Sequence, residues 1–127
     1  MKKRPALSKG EMEVARVLWE LGEATVRQVH KNLPADRNID FVTVQTYLRR
    51  LAAKGYLRTT TQGRIKVYHP KVKPQTVIRE SVSDFVSRLF DGESLPLVRH
   101  LIEERGISND DIDELRSLLD RLKKENS

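Results

Sequence analysis

The hydrophobic period of the sequence changes at Gly55, and this change constrains the fold more than any other feature. Before Gly55, apolar residues recur at the three- and four-residue spacing of amphipathic helices. After it, residues 64–69 alternate at a period of two, and the pair Gln62-Gly63 is a tight-turn signal. A mainly helical chain with one small β-hairpin is therefore predicted.

Side chains that cap helices mark where the first three helices begin. Ser8 with Glu11 and Thr25 with Gln28 each form the spacing of a capping box, and Asp40 is the predicted N-cap of a third helix. Three short helices followed directly by a hairpin are typical of a winged helix-turn-helix domain. In that plan the third helix is the recognition helix and the hairpin is the wing.

The third helix has two chemically distinct faces. Its inner face is apolar, whereas its outer face has two arginines, two threonines and no carboxylate, at Val42, Thr43, Thr46, Arg49, Arg50 and Ala53. Guanidinium groups, hydroxyl groups and small apolar side chains are what phosphates and base edges accept. An ordinary solvated helix usually mixes both signs of charge. The pattern therefore favours a DNA-recognition helix.

The predicted wing extends this cationic surface. Its alternation separates two sets of side chains, with Ile65, Val67 and His69 facing inward and Arg64, Lys66 and Tyr68 facing outward. A hairpin that only covered the small core would also alternate, but it would not need a cationic outer side. We expect Arg64 and Lys66 to contact the DNA backbone.

The distribution of charge agrees with a nucleic-acid-binding half. Residues 1–74 carry a net charge of +10 and residues 75–127 a net charge of −4. Arg27 and Gln28, at the start of the second helix, are further candidate phosphate contacts, because a helix N-terminus favours anions. Residues 1–6 are predicted to form a disordered basic arm.

Three more amphipathic helices are predicted beyond Pro70 and Pro74, over residues 76–90, from a Ser94 cap to Gly106, and from a Ser108 cap onward. About 50 residues in three helices bury too small a core alone, so we expect pairing with a second copy. Folding back onto the N-terminal half is the alternative. The candidate dimerisation residues are Val82, Phe85, Leu89, Leu101, Ile112, Leu115, Leu119 and Leu122.

These observations predict a winged helix DNA-binding domain over residues 1–72 and a helical dimerisation domain over residues 73–127. The chain has no cysteine, three histidines and no apolar run near the roughly 20 residues of a membrane span. We therefore expect a cytoplasmic protein that is not an enzyme and has no catalytic residue, metal ligand or cofactor. The alternative function is a winged-helix interaction module whose basic face docks an acidic protein partner.

Five stretches of the sequence together are similar to one family. They are LSKGEMEVARVLWELGEATVRQV, VTVQTYLRRLAAKGYL, GRIKVYHP, FVSRLFDG and SNDDIDELRSLLDRL. By these stretches the chain resembles the penicillinase-repressor family of BlaI/MecI/CopY-type bacterial repressors. The resemblance implies a homodimer that represses transcription by binding a palindromic double-stranded DNA operator. It also implies that Thr43, Thr46 and Arg50 face the bases and that Arg49 lies nearer the phosphates.

The same resemblance carries expectations about how repression ends. In the β-lactam branch a regulatory protease cuts an Asn-Phe bond in the C-terminal domain, and that bond corresponds to His100-Leu101 here. In the copper branch, cysteines near the C-terminus bind the metal, and this chain has none. The resemblance thus implies a regulatory protease as a partner, although His100-Leu101 replaces the Asn-Phe pair at the corresponding bond. The absence of cysteine excludes copper sensing through thiolates.

Overall fold

The computed structural model describes residues 4–127, which form six helices and one two-stranded antiparallel sheet. The mainly helical fold class with one hairpin is therefore confirmed. In chain order the elements are α1 Lys9–Leu21, α2 Val26–Asn32, α3 Phe41–Ala53, β1 Leu57–Gln62, β2 Ile65–Pro70, α4 Pro74–Phe90, α5 Ser94–Arg105 and α6 Asn109–Glu125. None of these helices is long and apolar enough to cross a bilayer.

Contacts within the chain divide it into two compact units, the first ending at Ser81 and the second beginning at Val82. The first unit has a core between α1, α2, α3 and the hairpin. Val72 and Val77 are also buried in this core, so the first turn of α4 belongs to the first unit. The functional boundary between residues 72 and 73 stays a prediction.

Both predicted capping boxes form. The Ser8 hydroxyl accepts a hydrogen bond from the Glu11 amide at 3.2 Å, and the Glu11 carboxylate accepts one from the Ser8 amide at 2.8 Å. Thr25 and Gln28 make the same reciprocal pair at the start of α2. These bonds satisfy N–H groups that a helix start leaves without a partner, which fixes where α1 and α2 begin.

The hairpin turn lies one residue later than predicted. Gln62 pairs with Ile65, which leaves Gly63 and Arg64 as the two central residues. Gly63 has a φ of 65°, and a positive φ at the first central residue is typical of a type II′ turn. A glycine there lets the two strands keep their right-handed twist.

The predicted orientation of two wing residues is wrong. Tyr68 was expected to face solvent but is only 2% exposed, because its backbone exchanges hydrogen bonds with Ala24 and its ring packs into the core. Ile65 was expected to face inward but is 58% exposed. The base of the hairpin is covered on both sides, whereas its tip extends beyond the core.

Of the two N-caps predicted in the second unit, one forms and one does not. The Ser108 hydroxyl accepts from the Asp111 amide at 3.1 Å and caps α6. Ser94, however, is the first helical residue of α5, and Glu93 holds the N-cap position without a side-chain hydrogen bond. Pro96, the third residue of α5, has no amide hydrogen and therefore cannot donate to a capping side chain.

The N-terminal arm is ordered from Arg4, contrary to the prediction; Met1–Lys3 lie outside the described residues. The Tyr56 hydroxyl donates to the Pro5 carbonyl at 2.7 Å, and the Lys54 ammonium donates to the Ala6 carbonyl at 2.9 Å. The Arg4 guanidinium lies 5.9 Å from the centre of the Tyr56 ring and 3.0 Å from Glu80 of α4. These contacts hold the arm against the first unit.

Glu11 forms a buried ion pair that the sequence did not reveal. Its carboxylate is 1% exposed, and Oε1 accepts from the Lys54 Nζ at 2.6 Å. Among residues 4–127, no group donates a hydrogen bond to the second oxygen, Oε2. Burial alone raises the pKa of Glu11, but the bonds from Lys54 and Ser8 outweigh it and hold the pKa below its ordinary value. Glu11 is therefore charged at neutral pH.

We expect Lys54→Met to destabilise the protein by about 2–3 kcal/mol at pH 7. This is somewhat less than the roughly 3–5 kcal/mol for a fully buried pair, because Lys54 is partly exposed. The native ion pair contributes fully above the ordinary glutamate pKa of about 4.3 and is lost as the pH falls through the lower folded pKa. In the variant the pKa of Glu11 is higher, so the deficit is largest at neutral pH and shrinks in acid.

Urea denaturation at pH 7 and pH 4 measures this difference. Lys31→Met, which removes an exposed lysine of α2, is the matched control. Adding Glu11→Gln to the Lys54→Met protein should recover most of the loss, because glutamine keeps the capping acceptor without the charge. Equal stability of the Lys54→Met and Lys31→Met proteins at both pH values would refute a stabilising ion pair.

Candidate nucleic-acid interface

Helix α3 exposes the face that the sequence predicted. Val44, Leu48 and Leu51 are fully buried in the core and fix the rotation of the helix. The predicted DNA-binding residues lie outside the core, with Thr43 and Thr46 half-buried and Val42, Arg49 and Arg50 exposed. The face is thus available to a ligand along its whole length.

The start of α3 is held by its cap. Asp40 accepts a hydrogen bond from the Thr43 amide at 2.8 Å. Hydrogen bonds from the Thr43 side chain and then from its backbone hold the pKa of Asp40 below its ordinary value. The carboxylate therefore stays charged and complements the positive end of the helix dipole.

Thr46 also uses its hydroxyl proton within the helix. Its Oγ1 donates to the Val42 carbonyl at 3.0 Å. What Thr46 can still offer a base is an acceptor oxygen and a methyl group. Hydrogen-bond donors on the outer face therefore come mainly from the two arginines.

The loop before α3 is fixed from two directions. The Arg37 guanidinium pairs with Glu13 of α1 at 2.6 Å, and Nε2 of His30 lies 3.1 Å from the Ile39 carbonyl oxygen. Because a carbonyl only accepts, Nε2 carries the hydrogen in this contact. The His30 ring also meets the Phe41 ring edge-on, with centroids 5.9 Å apart. The first residue of α3 is thereby held by α2.

The wing presents its two predicted cations to solvent. Arg64 lies in the turn and Lys66 opposite Thr61 in the strand pair, and all three are exposed. Burial raises the pKa of Tyr68, and the positive charge of Arg49 partly offsets this effect. Arg49 of α3 therefore lies near Tyr68 of β2, and we call the outer face of α3 and the wing together the cationic surface.

One sequence signal for this surface was missed. Residues 41–79 contain nine lysines and arginines and no aspartate or glutamate. No three histidine, aspartate or glutamate side chains within residues 4–127 cluster as metal ligands. The surface has cations, hydrogen-bond donors and apolar groups, and these are the groups that bind a nucleic acid.

Arg27 and Gln28 have unequal roles at the start of α2. Arg27 is exposed, with its guanidinium available for a phosphate. The Gln28 side-chain oxygen accepts from the Thr25 amide, and the Gln28 backbone amide donates to the Thr25 hydroxyl, so both are engaged in the capping box. The helix-terminus argument for a phosphate at this position is therefore weaker than the sequence implied, and Arg27 is the better candidate of the two.

The exposure of two apolar residues near the predicted DNA-binding residues was missed. Phe41 precedes the predicted outer-face set and is 41% exposed, and Ile65 lies between the two wing cations. The periodicity could not show which face Phe41 belongs to, because the first residue of a helix has helical neighbours only on its C-terminal side. Ile65 was assigned to the core because alternation does not reveal where a hairpin leaves the core.

Comparison with known proteins identifies the family of this chain. Residues 7–121 match the family model described as penicillinase repressor. The penicillinase repressor of Bacillus licheniformis is 32% identical over 123 residues, covering 97% of this chain and 96% of the relative. The methicillin resistance regulatory protein MecI of Mammaliicoccus sciuri is 24% identical over 115 residues, covering 91% and 94%.

Two solved structures are similar as well. The DNA binding domain of the repressor BlaI is 36% identical, with a TM-score of 0.51, and the match covers 58% of this chain and 90% of that one. The monomeric form of Bacillus licheniformis BlaI, determined in complex with the blaP half-operator, is also 36% identical, with a TM-score of 0.50 and coverage of 59% and 92%.

Proposed function

Because this chain belongs to the penicillinase repressor family, we propose that it represses transcription by binding double-stranded operator DNA through α3 and the wing. The observation that carries this proposal is the run of nine lysines and arginines without an acidic residue over residues 41–79, which supplies the exposed cations of α3 and the wing. The relative bound to a half-operator supports it.

The residues of the surface divide into two roles. In a helix-turn-helix protein the recognition helix enters the major groove, and its outer face meets base edges. We assign Val42, Thr43, Thr46 and Arg50 to the bases. Arg49, the two wing cations and Arg27 contact phosphates, which fix orientation and carry no sequence information.

The second unit supports the proposal of a homodimer. No residue from 87 to 127 is buried, although α5 and α6 have many leucines. Leu119 is 61% exposed, and burying one leucine side chain stabilises by roughly 1.5–3 kcal/mol. A second copy would cover this apolar surface. We assign to the dimer contact the apolar residues Val82, Phe85, Leu89, Leu101, Ile112, Leu115, Leu119 and Leu122. Two copies related by a two-fold axis would match a palindromic operator.

A regulatory protease remains part of the proposal. The bond that corresponds to the cleaved family bond, His100-Leu101, lies inside α5, with both side chains exposed. A protease acting there requires local unfolding of α5. Since α5 buries none of its residues 94–105, such opening costs little in the single chain, and pairing would oppose it.

We expect Arg50→Ala to weaken operator binding and relax base preference by about 1–3 kcal/mol, because a guanidinium that pairs with one base edge discriminates against the others. Fluorescence anisotropy measures this on DNA fragments selected by the native protein from genomic DNA. Arg99→Ala, an exposed arginine of α5, is the matched control. A native protein that binds all duplexes alike would instead favour docking of an acidic protein partner.

We expect Arg64→Ala and Lys66→Ala to weaken binding to every DNA sequence by a similar factor. Each change removes one phosphate contact, so the slope of log affinity against log salt concentration should become shallower by about 1. Titrations at four salt concentrations, with operator and scrambled duplexes, give the slopes. An unchanged slope in both variants would remove the wing from the interface.

We expect Leu119→Glu to convert the protein to monomers, because a carboxylate cannot be buried unpaired in an apolar contact. Sedimentation velocity at micromolar concentration measures the change. Lys124→Glu, which introduces the same charge elsewhere on α6, should leave the dimer intact. A dimeric Leu119→Glu protein would contradict the proposed contact.

A further inference from the structure

The outer face of α3 has two chemically different ends. At its N-terminal end Phe41 and Val42 are 41% and 65% exposed, and we name this pair the apolar end of α3. At its C-terminal end lie Arg49 and Arg50. The Thr46 hydroxyl donates to the Val42 carbonyl, so the residue between the two ends adds a methyl group to the apolar side.

The apolar end is placed where a helix-turn-helix protein meets base edges. The N-terminal residues of a recognition helix contact the bases, while cations further along the helix are free to contact guanine or phosphate. The cap at Asp40 and the packing of the His30 ring on Phe41 fix this first turn. The side chains of Phe41 and Val42 are thus held in exposed positions by these contacts.

Base edges offer few apolar partners in the major groove. The 5-methyl group of thymine is the one apolar group there, and side chains such as phenylalanine or the threonine methyl recognise it by contact. An apolar side chain gains nothing from the hydrogen-bonding edges of guanine, cytosine or adenine. It loses its unfavourable exposure to water when it meets a methyl group.

We infer that the apolar end of α3 determines operator specificity by contacting thymine 5-methyl groups, with Val42 as the main contact and Phe41 beside it. The inference rests on the proposed function, since it needs a protein that binds operator DNA through α3. It assigns a new residue, Phe41, to the interface, and it names the chemical group that this end of the helix recognises.

Replacing single thymines of the operator by deoxyuridine tests the inference, because this removes one methyl group and changes no base-pairing group. Operator duplexes selected by the native protein are prepared with each thymine replaced in turn. Affinities of the native protein, Val42→Ala and Phe41→Ala are then measured by fluorescence anisotropy. Ile65→Ala, an equally exposed apolar residue of the wing, is the matched control.

We expect the native protein to lose affinity about threefold to fivefold at one or two thymines in each half-site, the effect of leaving one methyl-sized contact unmade. Val42→Ala should bind the thymine operator less tightly and show little or no further loss with deoxyuridine at one of these positions. Phe41→Ala should likewise show little or no further loss of affinity with deoxyuridine at the same or the neighbouring position. Ile65→Ala should retain the full loss at both.

Three results would overturn the inference while leaving the proposed function intact. They are an unchanged affinity of the native protein for every deoxyuridine duplex, an undiminished deoxyuridine effect in Val42→Ala and Phe41→Ala, or loss of the effect in Ile65→Ala. Val42 is mostly exposed, so Val42→Ala retains the core and carries the test even if Phe41→Ala folds poorly. A native protein without any sequence preference would instead refute the proposed function itself.

Discussion

The ion pair between Glu11 and Lys54 is the interaction on which the arrangement of the first unit depends. Glu11 lies in the first turn of α1 and Lys54 caps the end of α3, so one buried contact joins the start of one helix to the end of another. The same ammonium also donates a hydrogen bond to the Ala6 carbonyl of the N-terminal arm. Because Glu11 also completes a capping box, its position is fixed by local and long-range bonds together. The pair holds the C-terminal end of α3 against the start of α1, while the buried Val44, Leu48 and Leu51 fix the rotation of α3.

Local chemistry explains which parts of the fold could be predicted from the sequence. The capping boxes at Ser8 and Thr25 and the change of period at Gly55 act within a few residues, so the pattern alone identifies them. The Glu11–Lys54 pair joins residues 43 positions apart. Glu11 already had a local role, so nothing in the pattern required a second partner. The order of the arm from Arg4 likewise depends on distant groups on Tyr56 and Glu80.

The candidate site was predicted in part for the same reason. Periodicity indicated the outer face of α3, because the buried residues Val44, Leu48 and Leu51 repeat at helical spacing. It failed at the wing, where Tyr68 is buried by its pairing with Ala24 and Ile65 extends past the core. Alternation tells which residues share a face of a strand, but only the tertiary fold tells which length of that strand is covered.

The lack of any buried residue from 87 to 127 has a consequence for gene control. In the proposed homodimer these helices gain stability by mass action, so the fraction of assembled protein depends on how much of it the cell contains. Operator occupancy then rises more steeply than in simple proportion to the number of chains. For that dimer, a modest fall in chain number, by dilution at cell division or by degradation, would release the promoter over a narrow range.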